Sequence, residues 1–373
     1  MLPEKKPLSI ITSLPPILGI SNFTIEQIET LKDVFKLQLI GFYEFYPPLL
    51  KIKKVKYKSP LKSNGDTQIF YILSPYNPFS WIITLRRISS PVVLFEWWNV
   101  VQLPSYLFLA FFLKKRGVRV FLELHNPSSH ETIPGEKKIF NRLVNLADRV
   151  IVHTRASMVG IRKKDVAVIP YGYYKCSKIS SEVARKALGI PMDAKVLLFF
   201  GNLRPYKGLD IMLDGFLKLA GKYNDLWLIV AGRGWNDIDR YISTINSFPS
   251  DIKKRIIFKP EFISDNQLGY YFGSADLLVL PYKRFDSQSG VIMLSICYEL
   301  PYIVSNVRGL TEFALNEQLI FEPLPDALAS MVQNVLCEKD IRNVKKLVRK
   351  RKKMYTWVKY REGLLKLYSE VYD

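Results

Sequence analysis

Short apolar runs separated by helical patterns constrain this chain more than any other feature. Leu8–Ser13, Gln38–Tyr43, Gln68–Leu73, Val92–Phe95, Val118–Leu124 and Arg149–His153 read as strands. Several are apolar at consecutive positions, as strands covered on both faces must be. Ile25–Phe35 and Glu136–Asn145 fit amphipathic helices between them. A second series follows at Val196–Phe200, Trp227–Ala231, Arg255–Phe258, Leu277–Leu280 and Tyr302–Ser305. Its helices fit at Gly208–Lys222, Asp237–Ser247, Asp265–Ser274 and Val291–Glu299. Alternation of this kind predicts two open parallel sheets with right-handed crossovers. A chain of 373 residues is long enough for both.

The expected boundary lies near 170–190, where Pro170-Tyr171-Gly172 and Gly189-Ile190-Pro191 bracket a polar helix. This gives residues 1–172, residues 173–342 and a terminal helical stretch, 343–373, that crosses back to the first domain. Leu347, Trp357, Leu364, Leu367 and Tyr368 are available there for packing. The apolar stretch Val100–Leu113 is too short to span a bilayer and reads as a buried helix. Met1–Ser9 lacks the apolar core of a secretory signal. Cys176, Cys297 and Cys337 share no C-x-x-C spacing, which argues against a disulfide scaffold and the usual structural zinc site and suggests a reducing compartment.

The formal charge is +20. Residues 1–172 hold 24 basic and 12 acidic side chains, a net +12, with Lys51, Lys53, Lys54, Lys56, Lys58 and Lys62 crowded together. Arg349–Lys353 is an unbroken basic run. Such a surplus fits nucleic acid, an anionic membrane or a phosphorylated substrate. No recognisable nucleic-acid module accompanies it, so no nucleic-acid partner is expected.

Ligands of open α/β sheets bind beyond the carboxyl ends of the strands, so the residues after each strand matter most. Phe199-Phe200-Gly201-Asn202-Leu203-Arg204-Pro205-Tyr206-Lys207-Gly208 is a strand, a short cationic loop and a helix start. Helix-start amides with two cations suit a diphosphate, and a solvated loop is the plain alternative. Leu280-Pro281-Tyr282 is followed by Asp286-Ser287-Gln288-Ser289-Gly290-Val291 before another helix, then by Arg308-Gly309-Leu310-Thr311-Glu312. Leu124-His125-Asn126-Pro127-Ser128-Ser129-His130-Glu131 and Ala147-Asp148-Arg149-Val150-Ile151-Val152-His153-Thr154 stand in the first half. Trp97-Trp98 follows a strand and is expected in the core rather than against a sugar. Asp237-Ile238-Asp239 sits at a helix start, where capping outweighs a metal role.

In this order and spacing, these segments resemble glycosyltransferase family 4. The resemblance covers about residues 118–316. It implies the GT-B fold: two facing Rossmann-like domains, the second carrying the nucleotide-sugar. It further implies retaining transfer from a UDP- or GDP-sugar to a glycan or lipid-linked hydroxyl, with no metal and no cofactor required. Arg204 and Lys207 would bind the diphosphate and stabilise its growing charge. Gly201, Asn202, Ser289, Gly290, Val291 and Glu312 would contact the donor. His125 would face the transferred sugar, and His130 and Glu131 the acceptor. Many members have two glutamates where Ser287 and Ser295 stand here, and hydroxyls at those positions can still bond sugar oxygens. Related members often have His where Tyr171 stands. The implied location is cytoplasmic, peripheral at a membrane held through Lys51–Lys62 and Arg349–Lys353. The competing expectation is a non-catalytic basic protein binding a membrane surface or nucleic acid.

Overall fold

The computed structural model describes residues 5–15, 21–45, 61–126, 136–161, 165–234, 237–336 and 338–372. The chain divides into two units, residues 1–172 with 357–373 and residues 173–356. The C-terminal stretch is therefore two helices with different allegiances. Glu338–Lys352 belongs to the second unit, and Trp357–Tyr372 to the first.

The first unit is a seven-stranded parallel sheet. Its strands are β1 (Lys6–Thr12), β2 (Phe35–Phe42), β3 (Thr67–Leu73), β4 (Val92–Trp97), β5 (Arg119–Leu124), β6 (Arg149–Val152) and β7 (Val166–Val168). They lie in the order β3-β2-β1-β4-β5-β6-β7. The pleat divides the core by residue parity. Val93, Phe95 and Trp97 join Val120, Leu122 and Leu124 in one apolar layer. That layer is closed by Leu103, Tyr106, Leu109, Ala110 and Leu113 of the helix Leu103–Lys115. The stretch expected to be a buried helix thus is one, on its inner face. The opposite face of the sheet carries Thr12, Glu96 and Glu123.

The second unit is a six-stranded parallel sheet of β8 (Lys195–Phe200), β9 (Leu226–Ala231), β10 (Ile256–Lys259), β11 (Leu277–Leu280), β12 (Tyr302–Ser305) and β13 (Ile320–Phe321). Its order is β10-β9-β8-β11-β12-β13. The two strands that the apolar pattern leaves unread, β7 and β13, are short edge strands of three and two residues. Runs of two or three residues are too short for an apolar strand pattern to register.

Three further expectations change. Cys176 and Cys297 form a disulfide, with Cα atoms 6.3 Å apart and 121 residues between them in sequence. C-x-x-C spacing does not report pairs brought together by tertiary structure, so neither a disulfide-free chain nor a compartment follows from it. Cys337 lies outside the described residues. Asp237 occupies the N-cap position of the helix Ile238–Asn246 but makes no side-chain capping hydrogen bond. The basic run is partly consumed by its own unit. Arg349, Lys352 and Lys178 pair with Glu299, and Arg351 donates to Ala314 O. These cations hold the Glu299 carboxyl down at about 2.

Glycines set the spacing at the carboxyl edge of the second sheet. Gly208 has φ 72°, and a methyl built on it would lie 2.0 Å from Pro281 O. Gly232 has φ 136°, and its methyl would lie 2.1 Å from Gly201 O. Both positions require a residue with no side chain. Gly208→Ala is expected to lower Tm by several degrees, through strain and backbone collision. Gly221→Ala is the control: Gly221 has φ −71°, and its nearest atom is at 3.9 Å. Thermal unfolding of the two variants checks the contrast.

Candidate active site

Parallel pairing brings all strands of a sheet to a common carboxyl edge, and the order reverses at one point in each sheet. In the second unit that point lies between β8 and β11. The loops leaving those strands contain Arg204, Lys207, Ser287 and Ser289. The absent side chain of Gly201 is what lets them meet. A methyl there would stand 2.6 Å from Lys207 Nζ and 3.2 Å from Val291 Cγ2. Gly309 works likewise: its methyl would lie 2.8 Å from Ser287 N. Gly309 N also donates to Phe285 O at 2.9 Å. The Arg308–Glu312 turn thus rests directly on the Asp286–Ser287 loop.

Lys207 is the unusual group. It is buried, 6% exposed, and no carboxylate pairs with it among the described residues. Its ammonium lies 5.1 Å from the centre of the Tyr282 ring. Burial, assisted by the charge of Arg204, pushes its pKa down to about 7. A buried cation without an anion is a site that gains stability when an anion arrives.

The helix Gly290–Tyr298 begins beside it. Ser289 is the N-cap, and its hydroxyl accepts from Ile292 N at 3.4 Å. Ser287 and Ser289 are both buried, and Arg204 and Glu312 are half-buried. Asn202 is exposed. Ser295 stands apart from the group. It is fully enclosed, and its hydroxyl donates to Leu300 O at 2.6 Å, which commits its proton to the end of its own helix.

The first sheet reverses between β1 and β4, and a buried polar cluster occupies that point. Glu96 and Glu123 are partners in register on β4 and β5, both with no exposed surface. Thr12 and Thr24 donate to Glu96 Oε2, Thr24 at 3.1 Å. Gln27 donates to Glu123 Oε2 at 2.9 Å, and Tyr360 to Glu123 Oε1 at 2.7 Å. Burial pushes the Glu96 pKa up to about 7, and burial with the neighbouring Glu96 charge raises that of Glu123.

Two histidines extend the cluster. His153 Nδ1 lies 3.0 Å from Ile169 O, which can only accept. His153 Nε2 lies 3.2 Å from His125 Nδ1. With both rings neutral, His153 donates to the carbonyl and accepts from His125. His125 Nε2 is then an unprotonated nitrogen. It is buried, has no hydrogen-bond partner among the described residues, and stands 4.0 Å from Glu96 Oε2. Burial, then the His153 ring, holds the His125 pKa well below the usual histidine value, and burial pushes His153 down to about 4. Phe23 packs edge-on against His125 at 4.4 Å, and Tyr171 against His153 at 5.0 Å. Glu96, Glu123 and His125 also place metal-ligand atoms within 4.8 Å of one another. Three of the four carboxylate oxygens accept hydrogen bonds, and Glu96 Oε1 has no hydrogen-bond partner among the described residues.

His130 and Glu131 lie outside the described residues. Trp97 is buried against Tyr106 and Phe140, and Trp98 stacks on Phe45 at 4.4 Å, so this pair packs on other rings. Glu96, Glu123, Thr12, Gln27 and Tyr360 were not expected from the sequence. Their one signal is a single acid inside each of two apolar strands, VVLFEW and RVFLEL.

Two parallel α/β units, each with one reversal point, are the architecture of the GT-B fold. Residues 180–354, nearly all of the second unit, match the family described as Glycosyl transferases group 1. An uncharacterised glycosyltransferase of Methanocaldococcus jannaschii is 28% identical over 160 residues, covering 41% of this chain and 39% of that protein. Mannosylfructose-phosphate synthase of Agrobacterium fabrum is 26% identical over 161 residues, covering 40% and 35%. The matched stretch therefore spans about two-fifths of the length of these curated relatives. The sucrose-phosphate synthase structure from Thermosynechococcus elongatus superposes with a TM-score of 0.74 at 17% identity, covering 99% of both chains. HepE of Anabaena, solved with UDP and glucose, gives 0.74 at 14% identity over 98% and 100%.

The raised Glu96 pKa has a defined consequence. The folded state binds more protons than the unfolded state between the ordinary glutamate value of 4.5 and about 7. The stability held by the protonated form is therefore present at low pH and lost as pH rises through about 7. Glu96→Gln should match the wild-type Tm near its low-pH end and exceed it by several degrees at about pH 8. Thermal unfolding across pH measures this.

Proposed function

We propose that the chain is a retaining glycosyltransferase that moves a sugar from a UDP- or GDP-sugar to a hydroxyl of a glycan or lipid-linked acceptor. The observation that carries the reading is Lys207, a buried ammonium at the reversal point of the second sheet with no carboxylate partner among the described residues. The family match of the second unit and the likeness of the whole chain to sugar-phosphate synthases support it.

In this reading the diphosphate lies against Lys207 and Arg204, with the start of the helix Gly290–Tyr298 beside it. Exposed amides and the positive end of that helix favour an anion. The bond from the sugar's anomeric carbon to the phosphate oxygen breaks, and a bond to the acceptor oxygen forms on the same face. The acceptor hydroxyl gives its proton to the departing phosphate oxygen, so no protein nucleophile is needed. Lys207 and Arg204 stabilise the charge that grows on the leaving diphosphate. His125, with an unprotonated Nε2, accepts a hydrogen bond from a sugar hydroxyl rather than donating one. The first unit holds the acceptor, and the protein works at the cytoplasmic surface of a membrane that carries it. Ser287, Ser289, Val291 and Glu312 position the donor, and Ser295 shapes the helix instead.

Lys207→Ala and Arg204→Ala should each lower turnover about a hundredfold or more while folding is kept. Near-normal turnover of the two variants in a nucleotide-release assay sinks the assignment. A thermal-shift screen with UDP, GDP and ADP identifies the base, since a ligand at 100 times its Kd adds about 2.7 kcal/mol.

Binding should also take up a proton. Free Lys207 titrates near 7, and a bound diphosphate favours its charged form. Nucleoside-diphosphate affinity should fall about tenfold per pH unit above pH 7, until the pKa of the bound state is reached. Calorimetry in two buffers of different ionisation enthalpy reads the uptake, and Lys207→Met removes it.

A further inference from the structure

We propose that the helices Pro78–Arg87 and Leu103–Lys115 form the surface by which the first unit lies on an anionic lipid bilayer. The inference deepens the reading of a membrane-borne acceptor, and rests on it only for its purpose.

The first observation is a helix with three large apolar side chains on its outer face. In Pro78–Arg87 the buried side chains are Ser80 and Thr84. Trp81 and Leu85 are half-buried against the core, but three large apolar side chains face outward: Phe79 is 77% exposed, Ile83 55% and Ile82 39%. An ordinary surface helix turns its large apolar side chains inward. Ser80 Oγ is hydrogen-bonded to the Ser74 and Asn77 backbone, while Thr84 Oγ1 is buried with no hydrogen-bond partner among the described residues, and neither accounts for the three exposed apolar side chains.

The second helix continues the patch. Its inner residues fill the core, while Phe111 and Phe112 are 43% and 37% exposed. The two helices lie side by side. Trp81 packs on Phe108 at 5.5 Å, Phe108 on Phe112 at 4.6 Å, and the Arg116 guanidinium donates to Leu85 O and Ile88 O. Contiguous exposed apolar surface of this kind marks an interaction site.

Charge selects the partner. Between Asp66 and Glu123 the chain contains one acidic residue, Glu96, and it is fully buried. The same span contains Arg86, Arg87, Lys114, Lys115, Arg116 and Arg119. Lys114 and Arg119 are paired with Asp148. Arg86, Arg87, Lys115 and Arg116 have no ion pair among the described residues, and Lys115 lies over the Phe111 ring at 4.5 Å. An apolar centre with a basic rim fits the interface of an anionic bilayer, where rings enter the acyl boundary and cations meet headgroups. A second copy of this chain would bring the same cations face to face, which opposes self-association. Among the described residues no helix is long and apolar enough to cross a membrane, so these helices lie on it.

Sedimentation of the full chain with vesicles tests the proposal. Wild-type protein should pellet with phosphatidylcholine vesicles containing phosphatidylglycerol, far less with phosphatidylcholine alone, and less as salt rises. The variant Phe79→Ser/Ile83→Ser/Phe111→Ser should lose at least about tenfold in partitioning. Arg86→Glu/Arg87→Glu/Lys115→Glu, which leaves the apolar centre intact, should lose as much. All six positions are exposed and outside the donor site. A preserved thermal shift with UDP, measured without vesicles, therefore shows that each variant is folded and reads the donor assignment separately. Wild type that ignores anionic vesicles, or both variants pelleting like wild type, overturns the proposal. So does ultracentrifugation in which wild type is a dimer and the serine variant a monomer, which assigns the patch to self-association.

Discussion

Parallel pairing is the constraint from which the rest of this structure follows. Every strand in a parallel sheet ends at the same edge, so loops distant in sequence are delivered to one place. Gly201, Gly232 and Gly208 then decide how close those loops come. Each removes a side chain where backbone or an ammonium must pass, and each has a backbone conformation suited to glycine. Lys207 is buried because Gly201 leaves room for it. The loss of its hydration is what makes an incoming anion favourable.

The two reversal points use opposite electrostatics. The second unit buries a cation, Lys207, that no carboxylate pairs with among the described residues, beside the start of the helix Gly290–Tyr298. The first unit buries two carboxyl groups in register and settles them with neutral donors: Thr12, Thr24, Gln27 and Tyr360. Protonation lowers the cost of the pair, and the neighbouring histidines stay neutral for the same reason of burial. The outcome is a chain of fixed donors and acceptors from Ile169 O to His125 Nε2. It specifies how that nitrogen can meet a ligand.

Much of this architecture was legible in the sequence, because strands buried on both faces cannot hide their composition. β11 and β12 read correctly to the residue, and most other strands within a few residues. The short edge strands did not, since two or three residues give no readable period. The cationic loop after β8 was visible through its glycines and charges. The Glu96–Glu123 pair was not, because register between β4 and β5 is a tertiary fact and a lone acid in an apolar run gives no partner. The cysteine pair was missed for the same reason: 121 residues separate two atoms that the fold makes neighbours. Ser295 shows the converse error. Matching a motif position does not say which way a hydroxyl points, and this one is spent on Leu300 O.

The helix Trp357–Tyr372 has a consequence for the order of events in synthesis. It packs on the first unit, although the whole second unit precedes it in the chain. While a ribosome makes residues 173–356, the first sheet exists without Tyr360, and Glu123 lacks one of its two hydrogen-bond donors. The second unit is continuous in sequence and can close as soon as it emerges. The first unit, begun earlier, is completed later. Until then the face of the first sheet that carries Glu123 lacks the cover of this helix and the hydrogen bond from Tyr360.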